Sequence, residues 1–122
     1  VGPLLLLIDD ETQVRQVVQR QLEHLGYQVL AAADGRAGLA LLAASAQRPR
    51  AALIDMTLPE MDGAAVARAV LASVPGIAVV LMSGYRPEEV VATLSGLAIA
   101  GFLQKPFSLA DLRAILSTAL AE

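Results

Sequence analysis

Five short apolar runs are spaced along this chain with a helical stretch after each, and that alternation restricts the folds open to it. The runs are Leu4–Ile8, Gln28–Ala32, Ala51–Ile54, Ile77–Met82 and Ile99–Leu103. After the first, Val14, Val17, Val18, Leu22 and Leu25 recur at helical spacing, and Gly26 follows as a stop signal. Asp34 is placed to cap a second helix that carries Leu39 and Leu42 inward and fades near Ala46. A third helix puts Val66, Val70 and Val74 on one face, and a fourth opens at Pro87 and closes at Gly96. Ser108 and Asp111 form a capping-box start for the last helix, whose inner face is Leu109, Leu112, Leu116 and Leu120. Strands joined through single helices need right-handed crossovers, so the expected fold is α/β, a doubly wound parallel sheet with helices on both faces. The second run is poorest in apolar bulk and is assigned to an edge.

Composition removes several classes of function. The 122 residues suit one domain, here residues 1–122, and the 56% apolar and 17% charged content supports a buried core rather than disorder. No apolar run approaches the ~18 residues of a membrane span, and Val1-Gly2-Pro3 lacks the basic start of a signal peptide, so no membrane insertion and a cytoplasmic setting are expected. With no cysteine, thiolate chemistry and zinc–thiolate sites are excluded. A net charge of −3 gives no footprint for nucleic acid.

Four of the five strand ends carry polar residues: Asp9 and Asp10, Asp55, Ser83, and Lys105. Each has a bland explanation alone, as a helix cap, an Asx turn, a plain turn or a surface lysine. Together they sit where open α/β sheets form their sites, beyond the C-terminal ends of the strands. Three crowded carboxylates need a cation, and Mg²⁺ favours such hard oxygen donors. A lysine and a hydroxyl beside them suit phosphoryl oxygens, and a carboxylate at a strand end can act as nucleophile.

The stretches Leu7-Ile8-Asp9-Asp10-Glu11, Ile54-Asp55-Met56-Thr57-Leu58-Pro59-Glu60-Met61-Asp62-Gly63, Met82-Ser83-Gly84-Tyr85 and Gly101-Phe102-Leu103-Gln104-Lys105-Pro106-Phe107 resemble the response-regulator receiver domains of two-component signalling from end to end. The resemblance implies the flavodoxin-like strand order 2-1-3-4-5 and a phosphoacceptor at Asp55. Asp10, Asp55 and the backbone carbonyl of Thr57 would hold Mg²⁺, with Asp9 acting through a water. Ser83 and Lys105 would contact the phosphoryl group, Phe102 would be the switch aromatic that follows Ser83 inward, and the bond before Pro106 would be cis. Thr57 and Tyr85 would flank the mouth of the site and modulate phosphoryl lifetime. The implied donor is a histidine kinase or phosphotransfer domain. Such a domain catalyses only its own phosphorylation and dephosphorylation and is not otherwise an enzyme. The fourth-strand and fifth-strand motifs resemble receivers at the C-terminus of hybrid sensor kinases, so covalently linked kinase domains are expected.

Departures are few. Ser83 stands where many members have threonine, Ile115 where some carry a dimer-face arginine, and Gly38 inside a helix where alanine is usual, at a local cost of about 1 kcal/mol. Lys105 is expected to serve chemistry more than folding, with no buried ion pair in the unphosphorylated protein. His24, before Gly26, reads as a solvated residue at a helix end. Two other functions use related residues. A haloacid-dehalogenase-type phosphatase needs two acids separated by one residue after its first strand, whereas two positions after Asp9 stands Glu11 and not an aspartate, and the chain has no room for a cap domain. A pseudo-receiver binding module would lack a site residue.

Overall fold

The computed structural model describes residues 2–58, 61–90, 92 and 96–121. Five strands, β1 (Leu4–Ile8), β2 (Gln28–Ala32), β3 (Ala51–Asp55), β4 (Ala78–Ser83) and β5 (Gly101–Gln104), form one sheet in the order β2-β1-β3-β4-β5. Every neighbouring pair is parallel, with Leu6 opposite Ala52 and Leu30, Leu53 opposite Val80, and Leu81 opposite Phe102. The apolar-poor second strand is at an edge, as expected.

The period of two along each strand sorts the core into two layers. Leu6, Ile8, Ala52, Ile54, Val79 and Leu81 pack on one face with Leu42 of α2 (Gly35–Ala44) and Val66 and Val70 of α3 (Gly63–Ser73). Leu5, Leu7, Ala51, Leu53, Val80 and Met82 pack on the other with Val18 and Leu22 of α1 (Thr12–His24) and Leu112 and Leu116 of α5 (Leu109–Ala119). A central strand buried on both faces explains why these runs are uninterrupted by polar residues. Each of the larger fully buried side chains contributes roughly 2 kcal/mol of transfer free energy to that sandwich.

Side-chain caps open three of the helices, two of them, at Asp34 and Ser108, where the sequence signals stood. Asp34 accepts from the Ala37 amide at 2.7 Å, Asp62 from the Ala65 amide at 2.7 Å, and Ser108 and Asp111 form the reciprocal capping box. Gly26 follows α1 with a φ of 100°, a left-handed conformation that glycine adopts without strain. The described part of the fourth helix, α4, is Pro87–Val90, and the stretch expected to continue it to Gly96 lies largely outside the described residues. β5 starts at Gly101, two residues later than the sequence pattern indicates, because Ile99 and Ala100 only approach β4, through one Ala100 to Val79 backbone bond. Val17, expected on the inner stripe of α1, is 52% exposed.

Gly38 within α2 has a packing reason. A Cβ on Gly38 would lie 2.3 Å from Ile8 Cδ1 and 2.7 Å from Ile8 Cγ1, so alanine there would require the Ile8 side chain to shift. The expected helix-propensity cost is therefore offset by close approach. Ile115 is half-buried against the same layer as Leu112, with its Cδ1 2.6 Å from where a Gly101 side chain would begin.

Candidate functional site

Parallel pairing carries the C-terminal ends of β1, β3, β4 and β5 to one edge of the sheet, and strand parity then decides which side chains meet. Asp9 continues the Leu5, Leu7 parity, Asp55 the Ala51, Leu53 parity, and Lys105 follows Leu103 by two, all on the α1/α5 side. Ser83 instead shares the parity of Val79 and Leu81, and Phe102 packs against that same α2/α3 layer. The ladder extends one residue past the strands: the Asp9 amide donates to Ala32 O at 3.1 Å and the Lys105 amide to Ser83 O at 2.7 Å. Acids and lysine therefore converge from one face, and the hydroxyl and the aromatic from the other.

The polar strand ends share a local device. Asp9 Oδ1 accepts from the Glu11 amide at 2.9 Å, Asp55 Oδ1 from the Thr57 amide at 3.0 Å, and Ser83 Oγ from the Tyr85 amide at 2.9 Å. Each is a turn in which a side-chain oxygen binds the N–H two residues on. The bland reading of these residues as turn formers therefore holds, and it leaves room for the functional one. The turn fixes one oxygen and leaves the other carboxylate oxygen, or the hydroxyl proton, aimed elsewhere.

Lys105 takes up the remaining oxygens. Its Nζ donates to Asp9 Oδ2 at 2.8 Å and to Asp55 Oδ2 at 3.2 Å, with Glu11 Oε1 at 3.9 Å. Asp9 is 0% and Asp55 3% exposed, so this is a buried ion cluster. That corrects the expectation that Lys105 has no buried pair. The spacing of a lysine ninety-six residues from its partner gives no local signal of it. Burial pushes the Asp55 carboxyl up to about 6, against the Thr57 N–H and the Lys105 charge, which pull it down, while the Asp9 charge adds to the rise. Burial alone would lower Lys105, but its bond to Asp9 and the charges of Asp55 and Asp9 hold its pKa above the usual lysine value.

One oxygen each from Asp9, Asp10 and Asp55 lie within 4.8 Å of one another, with Asp10 the exposed member. Such a set of hard oxygen donors, with room on the solvent side for waters, fits a hard divalent cation of the Mg²⁺ type. The Lys105–Pro106 peptide is cis. Thr57 and Tyr85 both line the cleft above Asp55, and Tyr85 is 58% exposed there. His24 is exposed at the last position of α1, as expected.

Two features escaped the sequence reading. The cleft, about 820 Å³, runs on from Asp55 and Lys105 past Val14, Val17 and Gln21 of α1 to Phe107. The exposed Val17 that seemed a core residue is part of its wall, a distinction that helical periodicity blurs at the margin of an apolar stripe. Arg15 Nη1 donates to the Asp9 carbonyl at 2.9 Å, holding the turn that presents Asp10.

The family model of the response regulator receiver domain matches residues 5–117. The chain belongs to the response regulator receiver domain family. It is 36% identical over 107 residues to sensor kinase CckA of Brucella abortus, covering 88% of this chain and 11% of that protein. It is 32% identical over 117 residues to the probable transcriptional regulatory protein TcrX of Mycobacterium tuberculosis, covering 91% of this chain and 48% of that one. The chain thus spans only part of the curated relatives it matches. Among solved structures, the receiver domain of sensor histidine kinase PA1611 from Pseudomonas aeruginosa PAO1 aligns with a TM-score of 0.86 at 28% identity over the whole of both chains. That structure has a magnesium ion coordinated in its active site cleft. Receiver membership and the CheY-like fold are therefore established, and among the described residues no helix is long and apolar enough to cross a membrane.

Proposed function

We propose that this receiver is a phosphorylation-dependent switch, in which Asp55 accepts a phosphoryl group from the phosphohistidine of a histidine kinase or phosphotransfer domain with Mg²⁺ bound. The observation that carries this reading is the buried Asp55 carboxylate, facing the Lys105 ammonium, with Asp9 and Asp10 oxygens within 4.8 Å. Asp10, Asp55 and the Thr57 carbonyl would hold the cation directly and Asp9 through a water. The bound cation neutralises charge on the phosphoryl oxygens. An Asp55 oxygen forms the new P–O bond as the P–N bond breaks, and the departing imidazole nitrogen keeps the electron pair and takes up a proton. Lys105 exchanges part of its contact with Asp55 for a phosphoryl oxygen, and the Ser83 hydroxyl, whose lone pair already serves the Tyr85 amide, is left to donate. Such transfer needs mainly positioning and charge neutralisation, so the domain acts on its own phosphorylation state rather than as an enzyme for another substrate.

Exposure to acetyl phosphate and Mg²⁺ should add one phosphoryl group to the intact mass. Asp55→Asn should abolish the addition, and a chelator should too. Undiminished labelling of Asp55→Asn removes the assignment. Tyr85 lies over the cleft through which a hydrolytic water must enter, and its ring shields the acyl phosphate in this reading. Tyr85→Ala should release phosphate several-fold faster and Tyr85→Phe at the parent rate. Slower release in both would mean that the hydroxyl positions the water.

The likeness to sensor kinase CckA supports a parent chain in which the receiver is linked to kinase domains. A helix-turn-helix domain directly after Glu122 in the parent gene would instead assign it to a transcription factor such as TcrX.

A further inference from the structure

The loop that leaves the expected acceptor returns at Gly63 to touch the backbone it started from. A Cβ on Gly63 would lie 2.4 Å from the Asp55 carbonyl oxygen, 2.5 Å from Met56 Cα and 3.0 Å from the Asp55 carbonyl carbon. All three are main-chain atoms. Gly35, Gly38 and Gly101 are enclosed as tightly, but by ends of side chains: Val66 Cγ2 at 2.5 Å, Ile8 Cδ1 at 2.3 Å and Ile115 Cδ1 at 2.6 Å. A side-chain end can swing aside at modest cost, whereas the main chain of a strand buried on both faces cannot. Gly63 is not among the glycines with positive φ, so the requirement is steric and not conformational.

The approach closes a short circuit of hydrogen bonds. The Gly63 amide donates to Met56 O at 3.1 Å, and the Met56 amide donates to Met82 O at 2.9 Å, which ties the base of the loop to β4. The next amide, that of Thr57, holds Asp55 Oδ1. The first residue of α3 therefore seats on the peptide unit that leads directly to the group fixing the acceptor carboxylate.

We propose that Gly63 is a positioning residue for the site: its missing side chain lets α3 close onto the Asp55–Met56 main chain and thereby sets the Thr57 peptide against the acceptor. A methyl group there must push Met56 and Thr57 outward by about an ångström to reach ordinary contact. Displacements of that size cost on the order of a hundredfold where geometry governs the reaction. The inference rests on the Mg²⁺-dependent reading above, because the Thr57 carbonyl moves with its amide.

The test compares Gly63→Ala with Gly101→Ala, which meets a side-chain end outside the site. Each is followed by urea unfolding, by Mg²⁺ titration read from backbone amide NMR shifts, and by acetyl phosphate labelling. Gly63→Ala should weaken Mg²⁺ binding at least tenfold and shift the Thr57 amide in the metal-free protein. Gly101→Ala, even if it lowers stability as much, should leave Mg²⁺ affinity unchanged. Equal Mg²⁺ affinity in Gly63→Ala and the parent overturns the inference while leaving the receiver reading intact. No Mg²⁺ binding by the parent overturns both. Should Gly63→Ala not fold, the parent decides: Gly63 and Thr57 amide shifts should move with one midpoint on Mg²⁺ titration, and an unmoved Gly63 amide counts against the proposal.

Discussion

At the scale of single residues, the Asp9–Lys105–Asp55 cluster sets a conflict between stability and readiness for chemistry. Unfolded Asp55 loses its proton near the ordinary aspartate value of 3.8, and folded Asp55 near 6. Between those values the folded protein holds more protons than the unfolded chain, so the contribution of Asp55 to stability falls as pH rises from about 4 to about 6. Two pKa units correspond to about 3 kcal/mol, an upper figure for the penalty present at neutral pH. Lys105 limits that penalty, since its charge is one of the influences pulling Asp55 down. Removing it leaves two buried carboxylates facing each other, and breaking such a cluster costs roughly 3 kcal/mol. In chelator at neutral pH, Lys105→Ala should therefore unfold at clearly lower urea than the parent. Much of the loss should return below pH 5, where Asp55 is protonated, or on introducing Asp55→Asn. Equal stability of Lys105→Ala and the parent at neutral pH would mean that the pair does not hold the fold. The lysine was legible from sequence as a polar residue at the end of the fifth strand, on the sheet edge that gathers Asp9 and Asp55. Its structural role was not, because an ion pair across ninety-six residues exists only once β1 and β5 are brought to the same sheet edge.

At the scale of elements, the sequence was most informative where one side chain decides the local structure. Asp34, Ser108 and Asp111 cap as their positions imply, because a cap needs only a short polar side chain within three residues of a helical amide. β1 falls on its expected residues because its continuous apolar run ends at polar Asp9, and β2 does so as well although Gln28 opens it. The fifth strand was harder, since Ile99 and Ala100 have strand-like side chains while the pairing with β4 that makes a strand begins at Gly101. Gly38 shows the opposite failure, where a residue unfavourable for the element is required by its neighbour. Alanine would restore about 1 kcal/mol of helix propensity, but overpacking against Ile8 costs typically 1–3 kcal/mol. Gly38→Ala should therefore lower the melting temperature by a few degrees. The companion substitution Ile8→Val, which removes the Cδ1 atom the new methyl would strike, should recover part of the loss in a double-mutant cycle. Additive effects of the two changes would mean that Gly38 and Ile8 do not compete for the same space.

At the scale of the whole molecule, the two parities of the sheet divide the work. The acids and Lys105 hold one face of the strand ends, while Ser83 and Phe102 belong to the other, and the Lys105 amide bond to Ser83 O joins them across β4 and β5. These two strand ends therefore give one route by which charge arriving at Asp55 can be felt on the other face. Ser83 Oγ is held here by the Tyr85 amide, and Phe102 is half-buried against the layer that holds Val79 and Leu81. In the proposed switch, a phosphoryl group that accepts from the Ser83 hydroxyl would draw that side chain and its turn toward the site, and the volume left behind would favour an inward Phe102. On that reading phosphorylation would select an arrangement already open to the free domain, by no more than the difference in its interactions with the two states. Relaxation-dispersion NMR of the unphosphorylated protein should find exchange in Gly84, Tyr85 and Phe102, and phosphorylation should move those signals along the same shift vector. Phe102→Ala should leave labelling of Asp55 and Mg²⁺ affinity near parent values, because its side chain lies in the other layer, yet it should blunt the shift changes at Tyr85 and Arg86. If phosphorylation leaves the shifts of 84–90 and 101–104 where they were, the two faces are not coupled and Phe102 is only a packing residue.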